Sequence, residues 1–118
     1  MTAAQFRRLA LSLPDTSEAQ HMGHPDFRVG GKIFATLGYP GKGWAMIRLT
    51  PEDQRFLVQS SPRIFVPVKG AWGRAGCTNV QLESARPAPV REALAIAWEA
   101  AGKKRGRPRQ ARRPPSPE

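Results

Sequence analysis

The first periodicity along the chain is helical. Phe6, Leu9, Ala10 and Leu13 recur at spacings of three and four up to Pro14, and Thr2 followed by Gln5 has the pattern of a capping box. Arg7, Arg8 and Ser12 fall on the opposite side of that wheel and are expected on a solvated face. Residues 26–29 and 32–37 then flank Gly30-Gly31, a pair suited to the positive φ angles of a two-residue type I′ turn, which predicts a hairpin. After a Gly/Pro-rich loop, residues 44–49 alternate, placing Ala45, Ile47 and Leu49 on one face and Trp44, Met46 and Arg48 on the other. Thr50-Pro51-Glu52-Asp53 starts a second helix, with a hydroxyl cap, proline at the first position and acids at the positive end of the dipole. It ends by Ser60-Ser61-Pro62. Residues 64–68, 73–76 and 78–82 read as short strands. Pro89 opens a last helix with an apolar stripe of Val90, Ala93, Leu94, Ala97, Trp98 and Ala101, and Gly102 is its expected stop. Helices at both ends of a run of strands predict an α+β fold.

Length and composition limit this picture to one body. A chain of 118 residues cannot be halved and still give each part a sufficient core, while 40% hydrophobic content supports folding of roughly 100 residues. Residues 1–102 are expected to form the domain. Residues 103–118 contain no large apolar side chain and are expected to stay disordered. Of the formal charge of +10, the tail carries +6, from seven of the 19 basic residues and one of the nine acids. The body keeps +4. A balance of this kind suits a polyanionic partner or an anionic membrane, although abundant Gly, Pro, Ala and Arg also accompany GC-rich coding sequence. The lone Cys77 can build neither an internal disulfide nor a thiolate zinc site, which predicts a reducing compartment. Arg7 and Arg8 interrupt the first thirteen residues, and no stretch approaches ~20 apolar residues. The expectation is a cytoplasmic protein without membrane partner, nucleoid-associated if the source is bacterial.

The tail reads Lys103-Lys104-Arg105-Gly106-Arg107-Pro108-Arg109 and resembles the AT-hook of high-mobility-group chromatin proteins over about seven residues. Glycine lets the backbone lie close to a groove floor and proline holds the chain extended. Arg105 and Arg107 would then enter the narrow minor groove of A·T-rich double-stranded DNA, where the negative potential is strongest. A generic arginine-rich string would bind DNA electrostatically as well, so the two readings differ in A·T preference.

In the body, three ordered segments, His24-Pro25-Asp26-Phe27-Arg28-Val29-Gly30-Gly31-Lys32-Ile33-Phe34, Leu49-Thr50-Pro51-Glu52-Asp53-Gln54 and Gly70-Ala71-Trp72-Gly73-Arg74, resemble the MmcQ/YjbR family over roughly residues 5–101. The resemblance implies helices packed on one antiparallel sheet, a topology likened to bacterial frataxin, and a DNA-binding role. The family's tryptophan after Arg74-Ala75-Gly76 is replaced here by Cys77, read as a small buried hydrophobe.

Neither residues nor resemblance supplies a catalytic set, so no enzyme, cofactor or small-molecule substrate is expected. His21 and His24 have an H-x-x-H spacing but are expected in a loop, without a third ligand. Iron binding of the frataxin kind would need a carboxylate-rich first helix, where Arg7 and Arg8 stand instead. Asp15, Glu18 and Asp26 accompany no nucleophile and read as loop and cap residues. Around Lys69-Gly70-Ala71-Trp72-Gly73-Arg74, a projecting turn would set Lys69 and Arg74 on phosphates and Trp72 against a base or sugar. Tryptophan is usually mostly buried, so packing of Trp72 back onto the core is the favoured placement. The leading expectation is a non-enzymatic DNA-binding protein. The alternative is a protein-interaction module whose sheet face, with Trp44 and Met46, docks a partner while the tail solubilises it.

Overall fold

The computed structural model describes residues 1–103. In chain order the elements are α1 (Ala3–Leu11), β1 (Thr16–His21), β2 (His24–Val29), β3 (Lys32–Leu37), β4 (Trp44–Arg48), α2 (Pro51–Ser60), β5 (Phe65–Pro67), α3 (Ala71–Arg74), β6 (Cys77–Gln81) and α4 (Pro87–Lys103), with one 3-10 turn at Leu82–Ser84. The six strands form one sheet in the order β1-β2-β3-β4-β6-β5, and every neighbouring pair is antiparallel. The α+β expectation holds.

The predicted caps form as written. Thr2 Oγ1 accepts from the Gln5 amide at 3.1 Å while Gln5 Oε1 accepts from the Thr2 amide at 2.8 Å. Thr50 Oγ1 accepts from the Asp53 amide at 3.1 Å, with Pro51 opening α2. Gly30 and Gly31 turn the β2–β3 hairpin at φ of 59° and 81°, as a type I′ turn requires. In β4 the alternation is as expected, with Ala45 and Ile47 buried and Trp44 and Met46 half-buried. A bulge sits where β2 and β3 pair, because Phe27 faces Ala35 while Arg28 faces Ile33. Phe34 and Ala35, adjacent in sequence, are consequently both fully buried.

Pairing sets the two faces. One ladder row runs Phe27, Ala35, Ile47, Thr78, and this face is covered by α1 and α4 over β1 to β4 and by α2 over β6 and β5. Phe6 of α1 meets Phe27 with ring centroids 6.2 Å apart, and Val90, Ala93, Leu94 and Ala97 of α4 complete the core. Burying such side chains contributes ~1.5–3 kcal/mol each relative to exposure. The adjacent row, Asp26, Thr36, Met46, Asn79, lies on the opposite face, which neither terminal helix covers.

Several expectations need correction. Residues 16–21 form a strand, and Met22 and Gly23 turn it into β2 at φ of 51° and 80°. His21 and His24 are therefore a facing pair on adjacent strands and not loop residues. Glu18 is in β1, where its carboxylate meets Arg7 Nε at 3.0 Å, and Asp26 is a fully buried strand residue; only Asp15, at φ 60°, keeps a turn role. Residues 73–76 are not a strand. The chain must reverse between antiparallel β5 and β6, and the one-turn helix α3 does so, with the Arg74 amide donating to the Gly70 carbonyl at 3.1 Å. Gly73 approaches so closely that a Cβ there would overlap the Val68 carbonyl oxygen. The last helix starts at Pro87, two residues before the expected Pro89, and runs through Gly102, which is buried, to Lys103. Glycine costs a helix about 1 kcal/mol relative to alanine, too little to end one that is packed and has a lysine at its negative pole. Lys103, counted with the tail from the sequence, is thus the end of α4. Trp98 is half-buried at the rim of the core and donates its indole N–H to the Pro14 carbonyl at 2.8 Å. Among the described residues no helix is long and apolar enough to cross a membrane.

Candidate ligand cleft on the open sheet face

The open face holds a cleft of about 460 Å³. That volume falls within the ~300–1,000 Å³ typical of small-ligand sites. Thr36 and Met46, neighbours in the open ladder row, contribute from the middle of the sheet. One end is formed by the β1–β2 turn and the loop after β3, through His21, Met22, His24 and Tyr39. The other is formed by Arg48 of β4, Val68 and Trp72 from the β5–α3 segment, and Cys77 at the start of β6.

At the first end a charge network is built on Asp26. The carboxylate is fully buried, yet Arg28 Nε lies 2.7 Å from Oδ1, Arg28 Nη2 3.0 Å from Oδ2, and His21 Nδ1 2.7 Å from Oδ2. The Arg28 hydrogen bonds hold the Asp26 carboxyl below its ordinary pKa against the opposing pull of burial, and His21 adds to the effect. The same contact raises Arg28. A carboxylate only accepts, so His21 Nδ1 carries a proton and, in the neutral ring, Nε2 is left as an acceptor. His24 stands edge-on to both His21 and Tyr39, with centroids 6.4 and 6.5 Å away.

In the middle the chemistry is unfinished. Thr36 is only 1% exposed, and its hydroxyl has no hydrogen-bond partner; Asn79 Oδ1, in the same ladder row, is likewise buried without one. Buried polar groups are ordinarily paired, so an orphan at a cleft wall marks a place where an incoming group completes the bonding.

At the far end the favoured placement of Trp72 is overturned. The side chain is 63% exposed, because Gly73, not Trp72, occupies the inward position of α3 against the Val68 carbonyl. Arg48 Cζ lies 6.0 Å from the centre of the indole, at the outer limit of a cation–π contact. Lys69 and Arg74 are both exposed and form no ion pair among the described residues. The structure thus joins Trp72, Lys69 and Arg74 in one short segment, as the sequence requires, and adds His21, His24, Thr36, Tyr39 and Arg48, which sequence reasoning left out of any site. Cys77 is buried as expected. The tail residues Lys104, Arg105, Gly106, Arg107, Pro108 and Arg109, and the disorder expected for them, lie outside the described residues.

A family model described as YjbR matches residues 11–100. The chain belongs to the YjbR family. This YjbR chain is also similar to a solved structure, that of Deinococcus radiodurans protein DR2400, which carries the family-model domain DUF419. The TM-score is 0.65 and the identity 20%, over 91% of this chain and 89% of that one. At that identity the likeness speaks for the fold alone. Nothing among curated proteins matches.

Proposed function

We propose that this YjbR protein is a non-enzymatic DNA-binding protein. Lys69 and Arg74 take phosphates, Trp72 stacks on a base or sugar, and the segment of residues 103–109 follows the duplex, with Arg105 and Arg107 in the minor groove of A·T-rich DNA. The observation that carries the reading is the exposure of Trp72 between two cations that have no acidic partner among the described residues. An indole left open to solvent costs hydrophobic stabilisation, and flanked by cations it suits a polyanion with planar bases.

Binding without catalysis is supported by the layout of the cleft. The His21–Asp26 pair has the form of an acid–base dyad, but the thiol of Cys77 is on β6. Two strands, β3 and β4, intervene between β2 and β6, so three interstrand spacings of ~4.8 Å put roughly 14 Å between them. Proton transfer needs hydrogen-bond reach.

Fluorescence anisotropy of the full chain with A·T-rich and G·C-rich duplexes, at several salt concentrations, tests the proposal. Lys103 and the six cations that follow it, engaging ~4–6 phosphates, give a log–log salt slope of roughly −4 to −5. Lys69→Ala with Arg74→Ala is expected to make that slope shallower by ~1–2. Arg105→Lys with Arg107→Lys is expected to keep most of the affinity and lose the A·T preference, since charge alone holds phosphates but a planar guanidinium suits the narrow groove. Affinity indifferent to salt would overturn the reading.

A further inference from the structure

The cleft contains more than phosphate binding requires. A surface that met only the backbone of a duplex would need cations. It would not need a walled space of about 460 Å³, an indole at the rim, or a buried hydroxyl without a partner. These three features have one ligand chemistry in common: a flat, apolar-faced ring with hydrogen-bonding groups on its edge, attached to an anion. We propose that the cleft is a pocket for a single unpaired nucleobase, carried either by a DNA strand or by a free nucleotide.

Each wall has a part in this assignment. Trp72, with 63% of its surface exposed, supplies a stacking face whose orientation is braced by Arg48. Stacking is tolerant of base identity, because every base has a π-face. Arg48 is exposed, forms no ion pair among the described residues, and lies where the phosphate attached to a stacked base can reach it. The ring edge then points toward the middle of the sheet. There the Thr36 hydroxyl gains the partner it lacks, and His21, its Nδ1 committed to the Asp26 carboxylate, offers Nε2 as an acceptor for an exocyclic amine. Asp26 itself is shut away from the cleft, so the pocket shows the ligand no negative charge from that carboxylate.

The assignment rests on the DNA-binding reading for its strand-borne form, and the experiment separates the two. The full chain is titrated with a paired duplex, the same duplex carrying a one-base bulge, the same bulge with an abasic residue, and a mononucleotide. Anisotropy of labelled DNA and quenching of tryptophan fluorescence are read together. The bulged duplex is expected to bind roughly tenfold or more tighter than the paired and abasic ones, with quenching that disappears in Trp72→Ala. Thr36→Val is expected to reduce the preference by about fivefold, the effect of one lost hydrogen bond. Saturable quenching by the mononucleotide, with no discrimination among the three duplexes, would support the pocket and identify free nucleotide as its source. Equal affinity for all three duplexes with a silent mononucleotide would overturn the pocket while leaving salt-dependent DNA binding intact. No affinity for any of the DNAs and no quenching would overturn both readings. A bulge preference that survived both substitutions would also overturn the pocket.

Discussion

Two threonines of the same sheet, Thr36 on β3 and Thr78 on β6, separate what holds this protein together from what it presents. Both are fully buried or nearly so. Thr78 stands in the helix-covered row, beneath α2, and its hydroxyl donates to the Gly76 carbonyl at 2.9 Å and accepts from Gln54 Nε2 of that helix at 3.1 Å. Thr36 stands one row over, facing the cleft, and bonds to nothing. The helix-covered face is largely finished, with apolar contacts closed and Thr78 paired; the Thr16 hydroxyl at the β1 margin is buried there without a partner. The open face is stable but incomplete, and incompleteness on a concave surface is how a folded protein keeps bonding capacity for something else.

The comparison can be broken most easily from the finished side. Phe27→Ala removes a ring packed on Phe6, and is expected to lower the unfolding free energy by about 3–5 kcal/mol in urea titrations. A loss below about 1 kcal/mol would mean that the helix-covered face is not the principal source of stability.

The next effect falls on the open face, at the buried charge network of Asp26. Asp26→Asn removes the charge that Arg28 and His21 surround, at an expected cost of about 2–3 kcal/mol at neutral pH. Because Asp26 has a lowered pKa in the folded state, its contribution is complete above the unfolded value of about 3.9 and fades as pH falls through the folded value. The gap between wild type and variant should therefore be constant from neutral pH to about 5 and narrow as the pH falls below the unfolded value. A gap that persisted undiminished into strong acid would show that shape, and not charge, is what the variant lost.

The smallest effect has the opposite sign. Thr36→Val keeps the shape of the side chain and removes a hydroxyl that nothing satisfies, so it is expected to stabilise the protein by up to about 1 kcal/mol. Thr78→Val, by contrast, should destabilise by a similar amount, since it removes the hydrogen bonds to the Gly76 carbonyl and from Gln54, while Gln54 keeps the Gly73 and Cys77 carbonyls and Gly76 keeps the Leu49 amide. Thermal unfolding of the pair of variants reads the difference directly, and equal shifts would remove the distinction between the faces.

Local chemistry made much of the fold legible. Thr2, Thr50, Pro51 and Gly30-Gly31 fix caps and a turn through neighbours within a few residues, and the alternation of β4 reports the helix that covers one of its faces. Two elements escaped for opposite reasons. β1 is largely exposed, so no apolar alternation marks it. In α3, Gly73, read from the sequence as the start of a strand over residues 73–76, is required by the approach of the Val68 carbonyl, a contact set by tertiary packing. The cleft was hidden more deeply. Asp26, Thr36 and Met46 are adjacent only through strand pairing, and nothing in a linear reading sets three such residues side by side. Trp72 was assigned to the right segment and the wrong side of it, because typical tryptophan burial was applied at a position where the neighbouring glycine takes the inside.

The polarity that concealed β1 also governs how the molecule behaves in a crowd. β1 and β5 are the two margins of the sheet; β5 offers three residues, one of them Pro67, while β1 offers six in an unbroken run. A long, unpaired margin is a template on which another chain can crystallise as a further strand, and proteins commonly discourage this with charge or brevity. Here the deterrent is the hydrophilic run Thr16-Ser17-Glu18-Ala19-Gln20-His21, with Glu18 tied back to Arg7. Replacing Ser17, Ala19 and Gln20 with β-branched apolar side chains would disturb the core little and turn the margin into an adhesive, so colloidal solubility, more than folding, is what constrains those three residues, while His21 is held by its bond to Asp26.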